Sequence, residues 1–305
     1  MTSDLNISII IPSGRNDEIL AALLRSLSHL LNNQNECIVI LNPPRPTALF
    51  TEFPAVDFYS CESGSNRART LGYLKSKGRW LWFIDDDCLF PKNIDLKLLA
   101  DITSTAQVDA YAGAYLAPSN LTPTEKAYFT LSDCWQQLCF TSGFAFLLGG
   151  NCLIRKEFIS ETSWPQNISY GGAELALNIE LSKNNARVLH EPRISLIHNI
   201  KIKNLNELSR KGAHQGTGSL QINSLGLKRQ LTHPRISNTF KTHPLYLSSS
   251  EKEKLEIDNA LELYVRAFKH SRLKLTRGSL KSTLTEKLKN LRNILRADQL
   301  RRTLP

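Results

Sequence analysis

"RWLWFIDDDCLFP", residues 79–91, runs from large apolar side chains straight into three consecutive aspartates, Asp85, Asp86 and Asp87. The apolar part has the length and residue types of a strand covered on both faces. Adjacent carboxylates repel one another, and a buried strand has little reason to end on three of them. The plain reading is a solvated acidic turn, with one aspartate capping a helix that begins near Pro91. The other reading is a ligand site at the strand's carboxyl end.

The surrounding segments bear on that choice. "ISIIIP" (7–12), "CIVIL" (37–41) and "VDFYS" (56–60) read as further strands, the first two as continuous apolar runs. Between the first two, "DEILAALLRSLSHLL" (17–31) places Ile19, Leu20, Leu23, Leu24, Leu27, Leu30 and Leu31 on one helical face. "SNRARTLGYLKS" (65–76) reads as a helix opened by Ser65. This alternation predicts an α/β fold with helical crossovers. In such sheets ligands sit beyond the carboxyl ends of the strands, where the three aspartates lie. Carboxylates there are hard oxygen ligands suited to Mg2+ or Mn2+ shared with a substrate's phosphates.

The second half is less regular. "DAYAGAYL" and "FAFLLGGNCLIR" read as strands, the latter split by Gly149-Gly150. A proline-marked loop and a helix lie between them, "GGAELALNIELSKNN" is a helix, and "ARVLHEPRISLIHN" is a strand pair around Pro192. "RKGAHQGTGSLQ" is glycine-spaced and reads as flexible. Two helices are expected near 251–269 and 280–296.

No apolar run reaches membrane-spanning length, and "MTSDLN" lacks a signal-peptide pattern, so a cytoplasmic protein is expected. The six cysteines form no CxxC pair and read as reduced, buried residues. The net charge of +10 points to an anionic partner. Its source is local: residues 266–302 carry twelve Lys and Arg against Glu286 and Asp298. The tail has no interleaved aromatics for base stacking, which argues against nucleic acid as the partner. Its leucine stripe (Leu280, Leu284, Leu288, Leu291, Leu295) has two readings. It packs on the main domain, or it docks peripherally on the inner face of an anionic membrane.

Four segments, "ISIIIPSGRN", "SNRARTLGYLKSKGRWLWFIDDDCLFP", "GGNCLIRKEFI" and "YGGAELALNIELSKNNARVLHEPRISLIH", resemble in order and spacing the family 2 glycosyltransferases of the GT-A fold. The resemblance covers about residues 5–200. It implies a Rossmann-like central mixed sheet flanked by helices over 1–240, with a basic helical C-terminal extension over 241–305. It further implies transfer of a sugar from a nucleoside-diphosphate donor to an acceptor hydroxyl of a glycan or lipid-linked glycan, with inversion, supported by Mg2+ or Mn2+.

By position, Asp85 matches the residue near the ribose and Asp87 the metal ligand, with Asp86 between them in the donor-binding triplet. Arg69 matches an arginine near the nucleotide or its phosphates. Pro12 and Ser13 match the segment bordering the base, Glu174 the catalytic base, and His198 a late histidine that completes the metal site in some members. Three positions depart from the family pattern. Asn42 replaces an acidic residue that contacts the base, Thr70 replaces asparagine, and Ala173-Glu174 replaces Glu-Asp. The altered base motif keeps an alternative open, a GT-A protein that binds nucleotide or carbohydrate without turnover.

Overall fold

The structure is a computed structural model, and it describes residues 7–270 except 15, 33, 142–146, 148, 167–172 and 225–239. The expected helix over 280–296, with its leucine stripe, lies outside the described residues.

The N-terminal half follows the alternation in the sequence. Strand β1 (Ile7–Ser13) leads into α1 (Asp17–Leu27), whose first turn is capped by Asn16 Oδ1 accepting from Ile19 N at 3.1 Å. Then come β2 (Asn35–Leu41), a short α2 (Leu49–Glu52), β3 (Val56–Ser60), α3 (Ser65–Lys75) and β4 (Trp80–Ile84). Helix α3 opens at Ser65 as expected, with Gly64 as its N-cap residue and no side chain capping it. Strands β1 to β4 are parallel to one another, and β1 and β4 are buried throughout, which is why both read as unbroken apolar runs.

Beyond β4 the chain makes β5 (Cys88–Leu89), α4 (Leu96–Ser104), β6 (Ala110–Ala112), β7 (Tyr115–Leu116) and α5 (Pro123–Thr141). It continues through β8 (Asn151–Arg155), α6 (Ala173–Lys183), β9 (Val188–His190), β10 (Leu196–His198) and α7 (Leu205–Ser224). The main sheet has the order β3-β2-β1-β4-β8-β6-β9, with β8 antiparallel to both neighbours. A second sheet, β5-β10-β7, lies at its carboxyl side.

Several expectations change here. "DAYAGAYL" is two strands in different sheets, turning at Gly113, where an added Cβ would lie 2.3 Å from Asn151 Nδ2. Strand β8 starts after Gly149-Gly150, at the expected split, and residues 144–146 and 148 of the strand expected before it lie outside the described residues. The helix expected near Pro91 begins at Leu96, capped by Asp95. The stretch read as flexible is inside α7, a 20-residue helix.

Two apolar layers cover the main sheet. One packs α1 and α4 against Ile9, Val39, Trp82 and Ile84; the other packs Trp164 and Leu177 against Phe83 and Ile154. A third cluster joins α5 to Leu208 of α7, to Tyr246 in the short helix Pro244–Leu247, and to Ile257 and Tyr264 of the helix over 251–270. Polar ties fasten the last two helices to α5. His243 Nε2 lies 2.8 Å from Asp133 Oδ2, and Lys126 Nζ donates to Glu253 Oε1 at 2.9 Å. Among the described residues no helix is long and apolar enough to cross a membrane.

Candidate active site

Asp86 and Asp87 are each only 3% exposed, so the triplet is not a solvated turn. Its backbone is fixed at three points. Asp85 N donates to Gly150 O at 3.1 Å, Cys88 N to Asp85 O at 3.1 Å, and Asn199 N to Asp87 O at 2.7 Å. The first bond joins the end of β4 to the turn before β8. The third joins the triplet to the end of β10.

That last tie brings in the late histidine. Cys88 and His198 are opposed in the antiparallel β5–β10 pair, so the residue just before Cys88 comes beside His198. His198 Nε2 stands 3.3 Å from Asp87 Oδ1, and both side chains are buried. The imidazole is held from its face: the Tyr115 ring stacks on it at 4.5 Å and 27°, and Phe129 of α5 meets it edge-on at 6.1 Å. One carboxylate and one imidazole so placed fit a hard divalent cation that takes its remaining ligands from phosphate and water. Among the described residues no third His, Cys, Asp or Glu joins them to build a cage from protein alone.

Asp85 faces a different partner. Arg69 Nη2 donates to Asp85 Oδ1 at 2.8 Å, and the guanidinium lies 4.9 Å above the Trp164 ring. Arg69 comes from α3, which packs close to the sheet because Gly72 meets Ile10; a Cβ there would lie 2.3 Å from Ile10 Cγ2. Burial works against the charge of Arg69, but Asp85 and Glu174 outweigh it and raise its pKa. The guanidinium therefore stays charged.

Glu174 sits across the double glycine from Asp85. A Cβ on Gly149 would lie 2.9 Å from Glu174 Oε1, and one on Gly150 would lie 2.1 Å from Asp85 Oδ2 and 2.4 Å from the Tyr115 hydroxyl. Only glycines let both carboxylates close on this turn. Buried Asn178 pins the first turn of α6: it donates to Glu174 O at 2.6 Å and to Leu147 O at 3.1 Å, and accepts from Leu147 N at 2.8 Å. Gly171 and Gly172, the glycines ahead of Glu174 in the motif, lie outside the described residues.

Pro12 and Ser13 end β1 fully buried. Arg45 covers them, its Nη1 donating to Ser13 O at 3.0 Å, its Nη2 to Ser13 Oγ at 2.9 Å and its Nε to Asp17 Oδ1 at 3.1 Å. Asn42 N donates to Ser13 O at 2.9 Å, and Asn42 Oδ1 accepts from Gly64 N at 3.4 Å. The amide thus bridges the ends of β1 and β2 and the start of α3.

The contacts bring Arg69, Asp85, Asp87, Glu174 and His198 together from both halves of the sequence, while Pro12 and Ser13 stand with Arg45 and Asn42 at the ends of β1 and β2. The sequence reading missed Tyr115, Arg45, Asn178 and Trp164. Only Tyr115 carried a local signal, an aromatic two residues beyond a glycine in a strand-like run.

Residues 8–162, half of the chain, match the family model described as glycosyl transferase family 2. The chain belongs to that family. No curated protein matches it. Solved structures show that this family 2 glycosyltransferase shares the GT-A fold of known relatives. One is the mannosyltransferase PcManGT from Pyrobaculum calidifontis, in complex with GDP-Man and Mn2+; it is 12% identical with a TM-score of 0.55, over 91% of this chain and 80% of that one. Another is glucosyl-3-phosphoglycerate synthase from Mycobacterium tuberculosis, in complex with Mn2+, UDP-Glc and phosphoglyceric acid. It is 15% identical with a TM-score of 0.51, over 75% of this chain and 84% of that one. At such identities the likeness is one of fold.

Proposed function

We propose that this glycosyltransferase moves a sugar from a nucleoside diphosphate to an acceptor hydroxyl, with inversion and with Mg2+ or Mn2+. The observation that carries the reading is the pairing of Asp87 with His198 at 3.3 Å beside Asp85, which is held by Arg69 at 2.8 Å. Asp87 and His198 would hold the cation, and a bound divalent ion supplies charge neutralisation for a departing diphosphate. Asp85, with Asp86 behind it, and Arg69 orient the nucleotide. Pro12 and Ser13, stiffened by Arg45, border its base.

Glu174 is the base of this proposal. It stands in the first turn of α6, held there by Asn178 donating to Glu174 O at 2.6 Å. It removes the acceptor's proton as the acceptor oxygen attacks the anomeric carbon and the sugar–phosphate bond breaks on the opposite side. One displacement at that carbon inverts its configuration.

The proposal keeps the division of the chain at residue 240, a glycan or lipid-linked glycan as acceptor, and the basic tail as the segment that would reach an anionic membrane. The single-acid motif at Ala173-Glu174 favours one rival, a protein that binds donor without turnover. Nucleoside-diphosphate release across a panel of nucleotide sugars, with Mn2+ and with EDTA, separates them. Release from one donor with Mn2+ alone supports transfer, binding without release supports the rival, and neither removes both.

A further inference from the structure

The second sheet places one side chain along the whole floor of the donor site. Tyr115 leaves β7 with its ring stacked on His198 at 4.5 Å. Its hydroxyl reaches Gly150, on the side where Asp85 Oδ2 also lies. The phenol therefore spans from the Asp87–His198 pair to the Asp85–Arg69 pair. Its backbone is fixed by pairing of β7 with β10 and by Tyr115 N donating to Gln136 Oε1 of α5 at 3.2 Å.

We propose that the Tyr115 hydroxyl donates a hydrogen bond to the diphosphate of the nucleotide-sugar donor. The proposal rests on the donor-site reading above and adds a residue that the family motifs do not include. Two observations converge on it. Among the described residues the hydroxyl has no hydrogen-bond partner, although the ring is stacked on His198 and the backbone is tied to Gln136. The carboxylates nearest the phenol have other partners: Asp85 Oδ1 accepts from Arg69, and Asp87 Oδ1 faces His198.

A donor fixed between a cation-binding pair and a nucleotide-binding pair meets the acceptor-rich group that lies between cation and nucleoside, which is the diphosphate. No proton is transferred. The phenol keeps its hydrogen, and the bonding electrons leave with the phosphate oxygen. Because negative charge on that oxygen grows as the sugar departs, the hydrogen bond is stronger in the transition state than in the ground state.

The test is Tyr115→Phe, which keeps the ring on His198 and removes only the hydroxyl. Transfer kinetics are combined with calorimetric titration of UDP, GDP, ADP and CDP in Mn2+, and of the monophosphate matching whichever diphosphate wild type binds. Loss of a hydrogen bond to a charged acceptor predicts a kcat about 10- to 100-fold lower and weaker diphosphate binding. Monophosphate affinity and melting temperature stay unchanged. Unaltered kcat and diphosphate affinity overturn the proposal while leaving the donor site standing. So does an equal loss of mono- and diphosphate binding with a lower melting temperature, which would make Tyr115 a structural prop. If wild type binds no nucleoside diphosphate, the donor reading fails and Tyr115 fails with it.

Discussion

Arg69 is buried to 5% exposure and reaches one oxygen of the more exposed Asp85 across 2.8 Å, with its guanidinium over the face of Trp164. The arrangement is asymmetric, and so are its consequences. Removing the carboxylate strands a buried cation, whereas removing the arginine leaves a carboxylate that water can reach. Asp85→Ala should therefore cost about 3 kcal/mol of stability, and Arg69→Met about half of that. Urea denaturation of the two variants checks the order. Equal costs, or a larger cost for Arg69→Met, would mean that the guanidinium is solvated.

The two glycines between the carboxylates give a sharper contrast. Gly150→Ala drives a methyl into Asp85 Oδ2 and the Tyr115 hydroxyl, so it should abolish diphosphate binding. Gly149→Ala meets only the flexible end of Glu174, so it should leave diphosphate affinity within about twofold and lower kcat by roughly tenfold or more. Calorimetry and transfer kinetics on both variants read the two effects separately. A reversed pattern would exchange the roles given to Asp85 and Glu174.

Glu174 itself is tested by Glu174→Gln, which preserves shape and removes the basic oxygen. Transfer should fall by about 10²–10⁴ while donor and metal affinities hold. Rates equal to wild type would exclude Glu174 as the base.

The turn that carries the chain from β9 to β10, and so to His198, supplies a pH signature. Arg193 donates from Nε and Nη2 to the two oxygens of Glu191 at 2.9 and 2.7 Å and from Nη1 to Asp101 of α4 at 2.6 Å. The side-chain bonds from Arg193 hold the Glu191 carboxyl below its ordinary value of 4.5. A carboxyl depressed on folding adds stability above its unfolded pKa and loses it as pH falls through the folded one. Glu191→Gln should thus lower the melting temperature by about 2 °C at pH 7. The difference should vanish well below pH 4.5, and a gap that persists there would assign the effect to packing.

The sequence makes the N-terminal half of this site plain, for a physical reason. Strands β1, β2 and β4 are buried almost completely, so burial alone writes an apolar run that ends where the sheet ends. Asp85–Asp87 then stand out as charge at a strand terminus. An aromatic in a strand-like run marked Tyr115, but its role depends on which sheet β7 joins, a long-range choice that local pattern does not encode. Helix α7 was misread because glycines weaken a helix by about 1 kcal/mol each. Yet Gly212 is needed there: a Cβ would lie 2.6 Å from Tyr264 O on the helix crossing it. Asn178 looked like any polar residue on a helix, and only its bonds to Leu147 reveal it as the clamp on Glu174.

The measurement that bears most directly on the account is calorimetric titration of a nucleoside diphosphate into wild type and Asp87→Ala, each with Mn2+ and with EDTA. The account predicts binding by wild type with Mn2+, at least tenfold weaker binding in EDTA, and no response to Mn2+ in a folded Asp87→Ala. Affinity that is the same in EDTA, or that survives in Asp87→Ala with Mn2+, would contradict the assignment of Asp87 and His198 as the cation site.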